Sequence, residues 1–301
     1  MLYSLSMKTL PQPLRIAVQM LFVGVFCPSL PAATLIYYNS ATSGNSVTNL
    51  GTLGAAGNGT ITTAGTGSVT TVATGGPSGA GDAFLNLSST TLNGGWVTAP
   101  ANLLPNFRNN NWSVSGFFNR PANTNSSDVI LHFGSGDTFG SENELYLYGQ
   151  SGNNNVRLEH FPGNGLGSLQ SSLALNTWHS YAITFTASGL NDGTGTLALY
   201  LNGNAVGSSS NFNLSTGGSG DGGVAQTLQI GGIGYASNSG SADRALTGGI
   251  DEFAVYDLVL NSTEVAALHN RTITPLDVIP EPSRVLLILV AAMGWLSIRR
   301  R

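Results

Sequence analysis

Charge is what this chain has least of. Asp, Glu, Lys and Arg together make up 9% of its 301 residues, against roughly 25% in an average globular protein. Lys8 is the only lysine, and Lys8, Arg15, Arg284 and Arg299 to Arg301 all lie towards the two ends. Between Thr34 and Pro280 five arginines face fourteen acids, a net of nine negative charges. A body of that sign repels phosphate backbones and argues against a nucleic-acid partner. Cysteine is almost absent too: Cys27 is alone, so no disulfide framework exists. The shortage of Glu, Lys and Arg, with 40 glycines, excludes a long-helix protein. Hydrophobic residues nevertheless reach 41%, enough for a core and too many for charge-driven disorder. What remains is an all-β, turn-rich chain whose polarity comes from Ser, Thr and Asn. Such a surface suits calcium or neutral glycans, and composition does not choose between them.

The two ends read as addresses. Lys8 and Arg15 precede an apolar run from Ile16 to Phe26, and Ala32-Ala33 offers small residues at its exit. Together these describe a secretory signal peptide over residues 1–33, with cleavage near Ala32 or Ala33. Cys27 would leave with it. At the other end Pro280-Glu281-Pro282 precedes the apolar run Val285–Ile298 and the cluster Arg299-Arg300-Arg301. Fourteen residues of helix span roughly 21 Å, shorter than the ~30 Å hydrocarbon core of a bilayer. Trp295 and the arginines suit the cytoplasmic interface. Residues 277–301 resemble the PEP-CTERM sorting tail of Gram-negative bacteria. The resemblance implies a membrane exosortase as partner, at least transient membrane contact through the tail helix, and export to the cell surface or extracellular matrix. A permanent single-pass anchor is the alternative.

Between the ends, short apolar or alternating runs are separated by Gly, Asn, Asp and Ser clusters, the pattern of strands and turns. Strands are expected at Leu35–Tyr38, Thr60–Ala64, Ser68–Ala73, Ala83–Leu87, Trp96–Thr98, Trp112–Phe118 and Asp128–Phe133. They continue at Glu144–Tyr148, Val156–Phe161, Trp178–Thr186, Thr196–Leu201, Gln226–Ile230 and Gly249–Tyr256. Asn202-Gly203 tolerates the positive φ of a type I′ turn and marks a hairpin returning through Asn204–Val206. One helix is expected at Thr263–Asn270, capped by Asn261 with Glu264 completing a capping box. No Pro/Ser linker interrupts residues 34–276, which read as one domain: a two-sheet antiparallel sandwich or jelly roll. Alternation places Tyr181, Ile183 and Phe185 on one buried face, Leu197, Leu199 and Leu201 on the next, and Asp251 beside Phe253 and Val255 on the last.

The segments NTWHSYAITF, GTLALYLNGNAVGSS, LQIGG and GGIDEFAVYDLVLNSTEVAAL, within residues 176–268, resemble the LamG-like jelly roll of the concanavalin A-like superfamily. Trp112 to Arg120 fits an earlier strand of that family more loosely. The resemblance implies a structural Ca²⁺ held between Asp251 and backbone carbonyls of early segments. Calcium takes six to eight oxygens, so one aspartate with carbonyls and waters is adequate. The alternative is an aspartate capping turn amides at the strand edge. Asp82 is a weaker companion, and Asp137 and Asp221 read as turn residues.

Glu142 and Glu144, spaced i, i+2, would share a face of a strand, the way retaining glycosidases of the resembled fold present their carboxylates, about 5 Å apart. The family motif Glu-x-Asp-x-(x)-Glu is absent, however, and Glu144 reads as a solvated strand start. The histidines at 132, 160, 179 and 269 are scattered without zinc spacing. No Gly-x-Ser-x-Gly elbow appears, and Gly231 to Gly234 opens no helix, so it is not a phosphate loop. Tyr146, Tyr148, Tyr235, Trp96 and above all Tyr200, which alternation turns outward, are candidates for stacking on sugars; partly buried sheet tyrosines are the plainer reading. The Asn-x-Ser/Thr sequons are read as chance occurrences. The expectation is a non-catalytic, exported surface or matrix protein with a LamG-like glycan-binding or adhesion module. Two alternatives stand beside it: a polysaccharide-acting enzyme on the same fold, and a purely structural matrix component.

Overall fold

The structure, a computed structural model, describes residues 34–89, 94–101, 103–104, 109–121, 128–134, 144–150, 152–161, 169–190, 192–214, 227–233 and 244–278. Residues 1–33, expected to be a signal peptide, Pro280-Glu281-Pro282 and the apolar tail lie outside these residues, as do Asp137, Glu142, Asp221 and Tyr235. Among the described residues no helix is long and apolar enough to cross a membrane.

Sixteen strands are present there. They are β1 (Thr34–Ser43), β2 (Ser46–Asn49), β3 (Gly59–Thr63), β4 (Ser68–Val72), β5 (Phe84–Ser88), β6 (Gly95–Thr98), β7 (Trp112–Asn119) and β8 (Asp128–Gly134). Then come β9 (Glu144–Gly149), β10 (Asn155–Phe161), β11 (Gln170–Ser172), β12 (Trp178–Ala187), β13 (Thr194–Leu201), β14 (Asn204–Asn213), β15 (Thr227–Ile230) and β16 (Gly248–Tyr256). The one α-helix, α1 (Ser262–His269), starts at Asn261, whose side chain accepts from the amides of Thr263 and Glu264, both at 3.0 Å. Glu264 returns the bond to the Asn261 amide, which completes the expected capping box.

Every ladder between these strands is antiparallel. One layer runs β14-β13-β12-β7-β16. The far edge of β16 is shared: β5 pairs with Gly248–Ile250, and β1 with Phe253–Tyr256. The other layer runs β11-β10-β9-β8-β15-β6-β3-β2. β1 joins the two, because its register shifts after Tyr38 and its end, Thr42–Ser43, pairs with β2. The result is the expected two-sheet antiparallel jelly roll.

Alternation builds the core between the layers. Along β13 half-buried and buried residues alternate without a break, and Leu197, Leu199 and Leu201 face inward. Ile183 and Phe185 of β12 join Ile130, Leu145, Leu158 and Leu228 of the opposite layer in one apolar cluster. Trp112 bridges the layers, with its ring 5.7 Å from Phe185 and 5.4 Å from Phe133. The outer face of the first layer is buried as well, since Val265 and Leu268 of α1 pack on Tyr37, Ala182, Ala254 and Tyr256. β7 is likewise buried on both faces: on the outer one Ser113 bonds the Leu258 carbonyl, Ser115 meets the Tyr256 hydroxyl and Arg271 covers Phe117.

The hairpin turn is as the sequence expects: Asn202 and Gly203 have φ +51 and +76, and Leu201 pairs with Asn204. β14 runs on to Asn213, well past the expected Val206, and β2 and β11 are additional short strands.

Candidate functional site

β16 is not a regular strand. Its partner β7 sees Ile250 opposite Phe118 and Asp251 opposite Phe117, and then Ala254 opposite Ser115. Glu252 and Phe253 therefore stand against Gly116 alone, which is a β-bulge, and Glu252 takes the left-handed φ of +49 to make it. This overturns the simple alternation expected for Asp251. Ile250 and Phe253 both enter the inter-layer core, while Asp251 turns to the opposite face with Phe117.

There Asp251 is 1% exposed. Its Oδ1 accepts the Glu252 amide at 2.9 Å; its Oδ2 has no hydrogen-bond partner among the described residues. Burial is the main cause that lifts its carboxyl to about 8, and the negative charges of Asp82 and Glu252 add to it. Glu252 is raised as well, again chiefly by burial. The Tyr37 phenol is held above its ordinary range by burial and then by Glu252, Asp251 and Asp82.

The charges opposing this acidic knot are few. Arg271 places Nε 3.9 Å from Glu252 Oε1 and its guanidinium 4.5 Å from the centre of the Phe117 ring. Its Nη1 donates to Ser78 Oγ at 2.8 Å, and the Ser78 amide donates to Asp82 Oδ2 at 2.6 Å. Asp82 closes a tight glycine loop, in which the Gly76 amide reaches its carbonyl at 2.9 Å. A Cβ on Gly76 would lie 2.8 Å from the Asp82 carboxyl, so a larger residue there would push that carboxyl away. Three acidic side chains thus act on one another, with one guanidinium at hand among the described residues.

A hard cation is one way to satisfy the orphaned oxygen of an ionised Asp251; the proton that burial holds on the carboxyl is the other. Among the described residues no group of three His, Cys, Asp or Glu side chains could hold a metal alone. A cation would take carbonyls and waters beside Asp251. Sequence reasoning named Asp251 and Asp82 but missed Arg271, Tyr37 and Ser78. The signal for Arg271 was its rarity: it is one of five arginines in the body of the chain.

A second polar group lies on the outer face of the other layer. Glu144 is fully buried, not the solvated strand start expected. The Tyr146 hydroxyl donates to its Oε2, and His132 Nε2 lies 3.7 Å from its Oε1. The His132 ring stacks on Tyr146 at 4.9 Å, with its Nδ1 3.1 Å from Gln229 Oε1. Further out, the Tyr148 hydroxyl donates to Glu159 at 2.7 Å, and Arg157 pairs with the same carboxylate at 3.1 Å. Burial, then the Glu159 bond, pushes the Tyr148 phenol up to about 12.

The remaining candidates are dispersed. Tyr200 turns away from the inter-layer core and packs, half-buried, against the apolar cluster beneath α1. Trp96 is buried. His160 sets its ring edge against Phe212 at 4.9 Å, and His179 lies 2.8 Å from the Ala174 carbonyl. His269 Nδ1 meets Ser180 Oγ at 2.9 Å.

The fold is shared with solved proteins. Domain 4 of AbnA, an extracellular arabinanase from Geobacillus stearothermophilus solved with arabinotriose, superposes with a TM-score of 0.53 at 19% identity. The match covers 80% of this chain and all of that one. Botulinum neurotoxin type C, whose cell entry depends on two ganglioside molecules, matches at TM-score 0.51 and 14% identity. The binding domain of botulinum neurotoxin DC, solved with rat synaptotagmin II, does so at 0.51 and 13%. In both cases the match covers 80% of this chain and 52% of the toxin chain. No curated protein matches in sequence. The family model described as the concanavalin A-like lectin/glucanases superfamily matches residues 91–266, more than half of the chain. Its span takes in β7, the Trp178 strand and the bulged β16, and on that match the chain belongs to the concanavalin A-like lectin/glucanases superfamily.

Proposed function

We propose that this protein is an exported, non-catalytic carbohydrate-binding module, held by one structural Ca²⁺ at Asp251 and sorted by its C-terminal tail. The observation that carries binding over catalysis is the condition of Glu144. Hydrolysis needs one carboxylate free to protonate and another free to attack or to activate water. Glu144 is fully buried, bonded by the Tyr146 hydroxyl and faced by His132, as a structural carboxylate is. Ligand class follows from the family, whose fold serves both lectins and glucanases. The solved neighbours include a domain with bound arabinotriose, and a body with few charges favours neutral sugars. Calcium is supported by the orphaned oxygen of Asp251.

The test is incubation of the full chain with insoluble neutral polysaccharides, measuring both retention and release of reducing ends. Retention without release is expected. Release that disappears in Glu144→Gln would make the protein an enzyme. Export predicts a mature N-terminus close to Thr34. Sorting predicts that Glu281→Ala leaves an unprocessed form in the inner membrane of the native host, and unchanged processing would reduce the tail to a simple anchor.

A further inference from the structure

Four adjacent strands place one row of residues side by side. Asn86 of β5 pairs with Gly249 of β16, Gly249 pairs with Asn119 of β7, and Asn119 pairs with Trp178 of β12. Directly paired residues of an antiparallel ladder share a face. The row therefore reads Asn, Gly, Asn, Trp across about 14 Å at ~4.8 Å per strand. Glycine at the second place is required: a Cβ on Gly249 would lie 2.4 Å from the Trp178 ring and 3.1 Å from Phe84. The indole thus lies over bare backbone.

It is fixed there in advance. Trp178 Nε1 donates to the Gly75 carbonyl at 2.8 Å, and the ring meets Phe84 edge-on at 5.2 Å and 79°. Asn176, in the left-handed region at φ +58, adds a third amide at the rim. Together these residues line a hollow of about 270 Å³ to which no charged side chain among the described residues contributes. None of the three side-chain amides makes a hydrogen bond with another described residue.

We infer that this groove is a subsite for a neutral sugar, an inference that rests on the carbohydrate-binding reading above. Each carboxamide offers a carbonyl acceptor and two N–H donors, the complement of neighbouring hydroxyls. The half-buried indole supplies an apolar face for the C–H side of a ring. An anion finds no cation among the described residues here. An apolar side chain would leave the amides of Asn86 and Asn119 covered without partners, which disfavours it. The volume falls just below the ~300–1,000 Å³ of drug-sized ligand sites, so the groove takes one ring or a chain end rather than a polymer laid lengthwise. Because the ring and its wall are already ordered, little freedom is lost on binding.

The experiment is titration of the full chain with arabinotriose, xylotriose, cellotriose, laminaritriose and trigalacturonate, read by tryptophan fluorescence and calorimetry. At least one neutral trisaccharide is expected to bind, and trigalacturonate is not. Asn86→Ala should weaken that binding about two- to tenfold, the loss of one net hydrogen bond, and Trp178→Leu should abolish it. If Trp178→Leu fails to fold, the double variant Asn86→Ala/Asn119→Ala with an unchanged melting temperature carries the test. A wild-type affinity preserved in these variants would overturn the subsite and leave the module reading standing. A wild type that binds none of the neutral sugars, on this panel or on polysaccharide, would overturn both.

Discussion

Asp128 and Asp251 are equally buried, each 1% exposed, and the protein treats their charges in opposite ways. Asp128 meets Arg120 Nε at 2.6 Å. The guanidinium also donates to the carbonyls of Gln150 and Asn153, at 2.8 and 3.2 Å. Gly149 is bare to admit it, for a Cβ there would lie 2.5 Å from the guanidinium. Asp251 keeps one oxygen without a partner and has two other acids near it. The first aspartate carries its cation in the sequence. The second has only Arg271 at a distance among the described residues, and under the function proposed above it takes its cation from solution.

Breaking the complete pair should have the largest effect. Asp128→Asn leaves Arg120 buried without its counter-charge, which costs about 3–5 kcal/mol. Urea denaturation of the full chain checks this; a loss under 1 kcal/mol would show that the two carbonyls alone suffice for Arg120. Supplying the missing cation comes next. Calcium at about 100 times its dissociation constant stabilises by roughly 2.7 kcal/mol, and at about 2–4 °C per kcal/mol the melting point rises by several degrees. Asp251→Asn should remove most of that rise. If EDTA and calcium give the same melting point, no metal belongs at the bulge.

The same carboxyl predicts a pH dependence. An unfolded aspartate titrates near ~3.9, whereas burial raises Asp251 to about 8 in the folded protein. The folded state then holds the extra proton between those values, so in EDTA the contribution of Asp251 to stability declines as pH rises from about 4 to about 8. Calcium, which binds the ionised form, should flatten this slope. Denaturation at several pH values in EDTA reads it, and an equal slope in Asp251→Asn would assign the effect to other groups. Arg271→Gln should matter least. Its contact with Glu252 is long at 3.9 Å and partly exposed, so the loss should stay under ~1 kcal/mol, with the pH slope of Asp251 moved upward.

These two aspartates also mark how far the sequence could be read. β13 was legible because Thr194–Leu201 keeps period two from end to end, and Asn202-Gly203 announces its turn in residues that tolerate positive φ. β16 showed its strand but not its face. One left-handed residue, Glu252, shifts the alternation, and no local pattern in Ile-Asp-Glu-Phe signals it. Asp128 gave no sign of burial beyond its place at the start of an apolar run, because its partner Arg120 lies eight residues earlier in the chain. Glu144 looked solvated since nothing near it in sequence shows that His132, from the neighbouring strand, stands against it. The groove at Trp178 was hidden for a related reason: its four residues come from four strands, and only the register brings them into one row.

The central claim is that the protein binds neutral carbohydrate without cutting it, on a fold that calcium holds. Its most direct test is a glycan array probed with the full chain in calcium and again in EDTA. The account predicts retention on neutral glycans, weaker in EDTA, with the bound sugars intact. Retention on no glycan in either buffer, or bound glycans shortened during the assay, would contradict it.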